Sequence, residues 1–270
     1  KNVMSCYYDN LGNQIDHSQT VKDLGVHMSS DGTFKHHIGT TVTKAKQTCS
    51  WILRIFNTRK RLPMLTLYKS LVMSQLDYCS QLWAPSKIGE IQSLELVQRS
   101  FIRRISGMYN LSYWEQLKCL NLYSLHRRRE RYRIIYLWKM LEHLVPLFGN
   151  VTSSYHIRLG RMCKVPTVRN SAPAVVKTIR YGSFTIQAPK LFNALPAHIR
   201  NLSGCSVDSF KTELDKYLGS IPDEPQIPGY TLYRRAKSNS IIDMRRFASI
   251  IEEDQNHPQT AVAPSMSGSH

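Results

Sequence analysis

A change of hydrophobic period at Phe34 constrains this fold more than any other feature of the sequence. Apolar residues beyond it recur every three or four positions, which is the spacing of one helix face. The first such stripe predicts a helix that begins near Phe34, and its members are Ile38, Val42, Ala45, Cys49, Ile52 and Phe56. A second stripe predicts a helix between Pro63 and Pro85, through Tyr68, Leu71, Val72, Leu76, Cys79 and Trp83. A third helix is expected from about Gly89 to Ile105.

Capping signals place two more helices after the third. Ser112 and Glu115 have the spacing of a capping box, which predicts a short helix that ends at Leu120. Ser124 is the expected N-cap of a longer helix that ends near Val145.

Beyond Gly149 the chain contains β-prone pieces between prolines, at 174–181 and 183–186. An amphipathic helix is expected at 206–218. Prolines after Gly219 then predict an extended linker, and the last fifteen or so residues have a composition typical of disorder.

The first 33 residues favour a β-hairpin rather than a helix. Val21, Leu24 and Val26 suggest a strand with Gly25 inside it, and the sequence from Ser29 to Gly32 is typical of a turn. An isolated two-stranded ribbon is marginally stable in water and requires a sheet or a helix to pack on. We therefore expect this hairpin to be weakly protected unless another element covers it.

The charge distribution indicates a polyanionic partner. The formal net charge is +17 and the isoelectric point is near 9.8. From Arg99 to Arg200 the chain has 18 Lys and Arg residues against three acidic ones, so one region carries most of the excess. Such an excess is typical of nucleic-acid binding.

Candidate phosphate-binding residues form three groups. Lys44 and Lys46 lie off the apolar stripe of the first helix, and a second group lies on the third helix: Arg99, Arg103 and Arg104. The third group falls in the first turns of the helix capped by Ser124, where cations oppose the helix dipole, and contains Arg127, Arg128, Arg129, Arg131 and Arg133. Contact with phosphate would explain that placement, and a solvated charged helix end is the alternative.

Catalytic and metal-binding chemistry is not predicted. The six cysteines are widely spaced, with no metal-binding motif, and indicate reduced thiols of an intracellular protein. His36 and His37 point to different sides of a helix and are not expected to share a metal. No adjacent Asp pair, phosphate loop or nucleophile motif occurs, and no apolar run reaches membrane-spanning length. We therefore expect no catalytic residue, no metal, no cofactor and no membrane association.

The order of the motifs resembles the C-terminal third of reverse transcriptases from jockey-like non-LTR (LINE-type) retrotransposons. The similarity covers roughly residues 15–218. Its motifs in chain order are VKDLGV, LYKSLVMSQLDYCSQLWAP, LELVQRSFIRRI, LNLYSLHRRRERYRIIYLWKM and SFTIQAPKLFNALPAHIR, followed by SVDSFKTELDKYL.

This resemblance implies that the hairpin is a primer grip, with Lys22, Leu24, Gly25 and Val26 as its nucleic-acid-binding residues. It also implies that the helices after the hairpin form a thumb-like unit, which holds a template–primer duplex. The sequence has no counterpart of the fingers, of the palm with its Mg²⁺-binding aspartates or of the upstream endonuclease. We therefore interpret it as a fragment. By the same resemblance, the protein would work in a cytoplasmic ribonucleoprotein and in the nucleus.

We therefore expect a mainly α fold with four parts: a palm-derived primer-grip hairpin (1–33), a thumb-like helical bundle (34–110), a basic α+β C-terminal region (111–218), and a linker with a disordered tail (219–270). The expected function is that of a non-catalytic fragment of an RNA-directed DNA polymerase, which binds RNA, an RNA–DNA hybrid or DNA duplex. The alternatives are a host-derived RNA-binding module and a helical interaction protein with acidic partners.

Overall fold

The computed structural model describes residues 7–146, 152–224 and 239–243. Short antiparallel hairpins account for all the strands in these ranges, and each hairpin is a separate two-stranded sheet. Their strands are β1 (Tyr7–Tyr8) with β2 (Gln14–Ile15), β3 (Thr20–Asp23) with β4 (Val26–Ser29), and β5 (Ser153–His156) with β6 (Gly160–Cys163).

Helices make up most of the described chain, which confirms the expected mainly α class. The first group is α1 (Lys35–Ile55), α2 (Arg61–Leu67), a π-helical stretch (Tyr68–Met73), α3 (Ser74–Asp77), α4 (Ser80–Trp83) and α5 (Ile88–Ile102). The second group is α6 (Tyr113–Leu120), α7 (Leu125–Leu141), α8 (Ala174–Gly182), α9 (Phe184–Asn193), α10 (Ala197–Arg200) and α11 (Val207–Ser220).

Local signals located several of these helices correctly. The Ser112–Glu115 capping box is present at α6, and the side chains of Ser124 and Ser206 cap α7 and α11. One predicted helix is interrupted, because Cys79 adopts a left-handed conformation (φ 49°) and separates α3 from α4. Cys79 is therefore exposed rather than part of the buried stripe.

Two hydrophobic cores are joined by α7. The first lies among α1, α2, the π-helical stretch, α5 and α6, and it extends along the chain to Leu125, beyond the boundary expected at residue 110. The second begins at Ile134 and contains the inner faces of α9 and α11. Trp138 of α7 stacks on Phe210 of α11 with ring centroids 4.4 Å apart. The helix α7 therefore has packing partners around most of its circumference.

The hairpin formed by β3 and β4 differs from the prediction in the position of its turn. Leu24 and Gly25 form the turn between β3 and β4, with φ values of 44° and 87°. Two-residue hairpin loops favour positive φ at both positions, so glycine suits the second one. The hairpin is also covered, because Val26 is buried in the first core and Tyr78 donates a hydrogen bond to the Leu24 carbonyl at 2.7 Å.

The two β-prone pieces after Pro173 are helices, so that part of the prediction is wrong. Phe184, Ile186 and Ala188 alternate as in a strand, but Phe184, Ala188 and Leu191 also have helical spacing. As a helix, α9 packs along α7, where the rings of Phe184 and Tyr136 lie edge to face with their centroids 5.5 Å apart. The only strands described in the basic region are β5 and β6.

Within the stretch that we expected to be a linker, residues 239–243 pack against α7, and Ile241 is fully buried in the second core. The start of the expected linker, Gly219 and Ser220, is instead the end of α11. The rest of the expected linker and disordered tail, 225–238 and 244–270, lies outside the described residues. In the described ranges, no helix combines the length and the apolar character needed to span a bilayer.

Candidate nucleic-acid interface

The outer face of α1 is an exposed surface without a carboxylate. The buried stripe of α1 turns the opposite side to solvent, and the sequence 35–55 contains no Asp or Glu. The exposed residues of this outer face are Lys35, His36, Gly39, Thr40, Thr43, Lys44, Lys46, Gln47, Ser50, Trp51 and Arg54. Because no acidic residue of α1 offsets its cations, the face is a positive surface.

The residues of the outer face form a central stripe with cations at both margins. Thr43, Gln47 and Ser50 lie along the middle at helical spacing, and Lys44 and Lys46 lie on opposite sides of them. Two shallow depressions follow the stripe and share Thr43 and Gln47. The 21-residue helix is about 31 Å long at 1.5 Å per residue. Small polar side chains between lysines allow a polyanionic backbone to approach closely.

A second basic surface, which we call the end patch, lies where α1 leads into α2. It consists of Lys60 and Arg61 together with Arg103 and Arg104, all exposed. A hydrogen bond from the Ser106 amide to the Arg59 carbonyl (2.8 Å) joins the two loops. The end patch therefore brings together cations more than forty positions apart in sequence.

Aromatic rings hold two of the predicted arginines in place. Arg103 lies over the exposed ring of Tyr109 at 4.7 Å, and Arg99 lies over Tyr113 at 4.6 Å. An arginine stacked on an aromatic ring keeps its guanidinium donors available at its edge. Arg99 and Arg103 are thus pre-oriented cations on the solvent side of the bundle.

The predicted primer-grip residues have different environments. Lys22 is exposed on β3, and Leu24 projects from the turn with 84% of its surface exposed. Val26 is buried against α1, so its prediction as a nucleic-acid-binding residue is corrected: its side chain packs in the core instead. The hairpin contributes Lys22 and its tip, but not Val26, to the surface.

The five α7 arginines (Arg127, Arg128, Arg129, Arg131 and Arg133) do not form the surface cluster that the sequence suggested. Arg127, Arg129 and Arg133 are buried, with 0, 4 and 7% of their surface exposed. Their placement as phosphate ligands is therefore corrected, because a buried guanidinium does not reach a phosphate while the fold is intact. The alternative of a solvated helix end fails for the same reason.

Main-chain carbonyls accept hydrogen bonds from the terminal nitrogens of the three buried guanidinium groups, whose Nε atoms are buried without a hydrogen-bond partner. Arg127 donates to the carbonyls of Pro222 (2.9 Å) and Asn239 (3.1 Å). Arg129 donates to those of Leu125 and Leu76, and it also lies over the Trp83 ring at 5.2 Å. Arg133 reaches the carbonyls of Ala84 and Gly182, and burial lowers its pKa to about 10. These contacts join α7 to segments on several sides of it.

Carboxylates from distant helices pair with the remaining two α7 arginines. Arg128 Nε lies 2.6 Å from Asp77 Oδ2, and Arg131 binds both oxygens of Asp215 at 2.5 and 2.7 Å. The hydrogen bond to Asp215 is the largest contribution to the raised pKa of Arg131. Both arginines are partly exposed, but each is already paired with a carboxylate.

The partners of α7 could not be found from local sequence. Asp77 lies 51 residues from Arg128, and Asp215 lies 84 residues from Arg131. The available signal was that cations occurred on all sides of the helix, while isolated acids such as Asp77 had no local partner. Because a buried charge must be paired or hydrogen-bonded, cations on all sides of a helix can also indicate partners from other parts of the fold.

Comparison of the chain with protein-family models, with curated proteins and with solved structures gave no match. In residues 7–146, 152–224 and 239–243, no group of three or more His, Cys, Asp or Glu side chains is arranged to hold a metal ion.

Proposed function

We propose that the chain is a non-catalytic, nucleic-acid-binding part of a retrotransposon RNA-directed DNA polymerase. The contact surface is the outer face of α1 together with the end patch and the hairpin tip. The observation that carries this proposal is the acid-free row of exposed cations and small polar residues on α1. The α7 arginines are left out of the surface.

The chemistry of the α1 face suits a phosphate backbone better than base edges. Lysine offers a mobile point charge, whereas base recognition generally uses fixed, bidentate donors. The length of α1, about 31 Å, is close to one turn of a duplex, roughly 34 Å. We therefore expect affinity that depends steeply on salt and weakly on nucleic-acid sequence.

The polymerase assignment is supported by the order of the sequence motifs and by the position of the hairpin. The hairpin packs on the N-terminal half of α1, where the His27 amide donates to His37 Nδ1 at 3.3 Å. His27 also lies beside His36 of the outer face, with ring centroids 5.0 Å apart, so the hairpin adjoins the surface that would hold a duplex. In such a polymerase, fingers, palm and bound Mg²⁺ come from the remainder of the polypeptide.

Salt-dependent binding tests this function on the full chain. We expect an RNA–DNA hybrid to bind with log Kd rising linearly with log salt, and Lys44→Gln, Lys46→Gln and Arg54→Gln together to lower the slope. Each phosphate contact contributes about 0.9 to the slope for a duplex, so three lost contacts remove up to about 2.7. Fluorescence anisotropy at several salt concentrations gives the slope.

The control variant removes the same charge elsewhere on the surface, by Arg158→Gln, Lys164→Gln and Arg169→Gln. All three residues are exposed and lie on or beside the third hairpin. An acidic protein of equal charge serves as competitor for the helical-interaction alternative. Equal slopes for both variants, or preferential binding of the acidic protein, would contradict the proposal.

A further inference from the structure

One face of α7 holds a short segment from far along the chain. Ser124, Arg127 and Glu130, spaced three residues apart, all contact residues 239–243, which we call the C-terminal segment. The contacts connect residues at least 110 positions apart in sequence. The N-cap Ser124, the cation Arg127 and the anion Glu130 thus all contact the same five-residue stretch.

Main-chain atoms of the C-terminal segment are bound from both ends of this face. Arg127 Nη2 donates to the Asn239 carbonyl at 3.1 Å, and the Ile241 amide donates to Glu130 Oε2 at 3.0 Å. One donor and one acceptor on α7 therefore fix the direction of the segment. The segment itself is turned rather than extended, because residues 241–243 are helical and the Asp243 amide donates to the Ser240 carbonyl at 3.1 Å.

Side chains of the C-terminal segment are also recognised one by one. The Asn239 amide donates to Ser124 Oγ and to Asp223 Oδ1, both at 3.0 Å. Ser240 Oγ donates to Glu130 Oε1 at 2.5 Å. Ile241 is fully buried in the second core. Each of the three consecutive side chains has a matching environment: a carboxamide site, a hydroxyl site and an apolar site.

The buried carboxylate of Glu130 requires an occupant that donates hydrogen bonds. Burial raises the pKa of Glu130 to about 7, and the hydrogen bonds from Ser240 and Ile241 oppose that rise. An acidic group at the Ser240 position would face Glu130 directly and be repelled. The arrangement therefore disfavours an acidic group at that position.

We propose that the Ser124, Arg127 and Glu130 face of α7 is a peptide-recognition site for the sequence Asn-Ser-Ile, with residues 239–243 as its exchangeable occupant in cis. Asn239 Nδ2 also donates to the main-chain carbonyl of Asp223 at 3.1 Å. Three consecutive residues, Asn239, Ser240 and Ile241, make the contacts that hold the occupant. A separate peptide that carries the same three residues can make the same contacts.

The test uses the full-length chain with Asn239→Ala and Ile241→Asp, which vacate the site without changing α7. The probe is a fluorescein-labelled peptide with the sequence of residues 237–245, and its binding is measured by anisotropy. We expect the vacated variant to bind it and the wild type to bind at least about tenfold more weakly, because a cis occupant present nine-tenths of the time lowers apparent affinity by that factor. A peptide with phosphoserine in place of Ser240 should not bind.

Circular dichroism establishes that the vacated variant retains its helices. If it does not, the milder variant Ser240→Ala, which removes one hydrogen bond to Glu130, takes its place and should bind the probe more tightly than the wild type does. Failure of a folded variant to bind the probe would overturn the proposal. So would equal binding of the native peptide and one that carries the Asn→Ala and Ile→Asp changes.

Discussion

The helices α1 and α7 are both rich in cations, yet they place them in opposite environments. The lysines at 44 and 46 and the arginine at 54 are exposed on α1, with no acidic residue on that helix to pair with them. The arginines of α7 are buried or paired with distant carboxylates. The difference teaches that local cation density does not identify a binding surface. The partners available in the fold decide whether a cation is free for a ligand.

The residue types fit these two environments. A guanidinium is planar and offers five donors, so one arginine can satisfy several carbonyls inside the fold, as Arg127 does. A lysine ammonium is strongly hydrated and is kept at the surface on a flexible stem. Arginine on α7 and lysine on α1 are therefore not interchangeable sources of positive charge.

Removal of one buried arginine should have the largest effect. Arg127→Met leaves three carbonyls and the nearby Asp223 without their cation, so we expect a loss of about 3 to 4 kcal/mol in the free energy of unfolding. The matched exposed change Lys44→Met should alter it by less than about 0.5 kcal/mol. Urea denaturation followed by circular dichroism measures both. Similar losses for the two variants would remove the distinction between the helices.

The pairing of α7 with distant acids gives an intermediate effect. A double-mutant cycle with Arg128→Gln and Asp77→Asn should yield a coupling energy of about 1 to 2 kcal/mol, because both side chains are mostly buried. The exposed pair Lys211–Asp208 on α11 is the control, and its coupling should be at most about 0.5 kcal/mol. A coupling near zero for Arg128 and Asp77 would mean that this cation is available to a ligand.

Two adjacent histidines show the same contrast within α1. His36 is exposed, whereas His37 is buried beside His27 and the Trp83 ring. Burial lowers the pKa of His37, and the charges of His27 and His36 lower it further. Protonation of His37 therefore favours the state in which the hairpin is detached from α1. The hairpin should be most stably docked above about pH 6.5, the ordinary pKa of histidine, and its docking should weaken as the pH falls below that value.

Nuclear magnetic resonance of the Val26 methyl groups, which belong to the hairpin and are buried in the first core, would follow this undocking as the pH falls. His37→Gln should abolish the pH dependence, and His36→Gln should leave most of it. A Val26 environment that stays constant from pH 7.5 to pH 5 would exclude a role for His37 in holding the hairpin.

Sequence reasoning succeeded where the cause was local. The apolar stripe from Ile38 to Ile52 and the Ser124 cap involve residues within a few turns of each other, and both predictions are confirmed. It failed at Phe184 to Ile186, where strand and helix spacing coincide and packing against α7 decides. It also failed at Arg127 and Arg129, because their carbonyl partners lie up to 112 residues away.

The exposed cations of α1 were easier to predict than the fate of the α7 arginines. Lys44 and Lys46 fall outside a stripe whose burial follows from its own periodicity, so their exposure needed only local information. The end patch needed the fold, since the Ser106–Arg59 hydrogen bond brings its two halves together. The binding role of these surfaces stays a proposal.

Arginine modification with mass-spectrometric readout tests the contrast between the two helices most directly. Phenylglyoxal should modify Arg54 and Arg103 in the native protein and leave Arg129 and Arg133 unmodified until the chain is unfolded. Arg127 should react far more slowly than Arg54, because the C-terminal segment covers it. An added RNA–DNA hybrid should then protect Arg54 and Arg103. Native-state modification of Arg127 or Arg129 at the rate of Arg54, with protection by nucleic acid, would contradict the account and place the binding surface on α7.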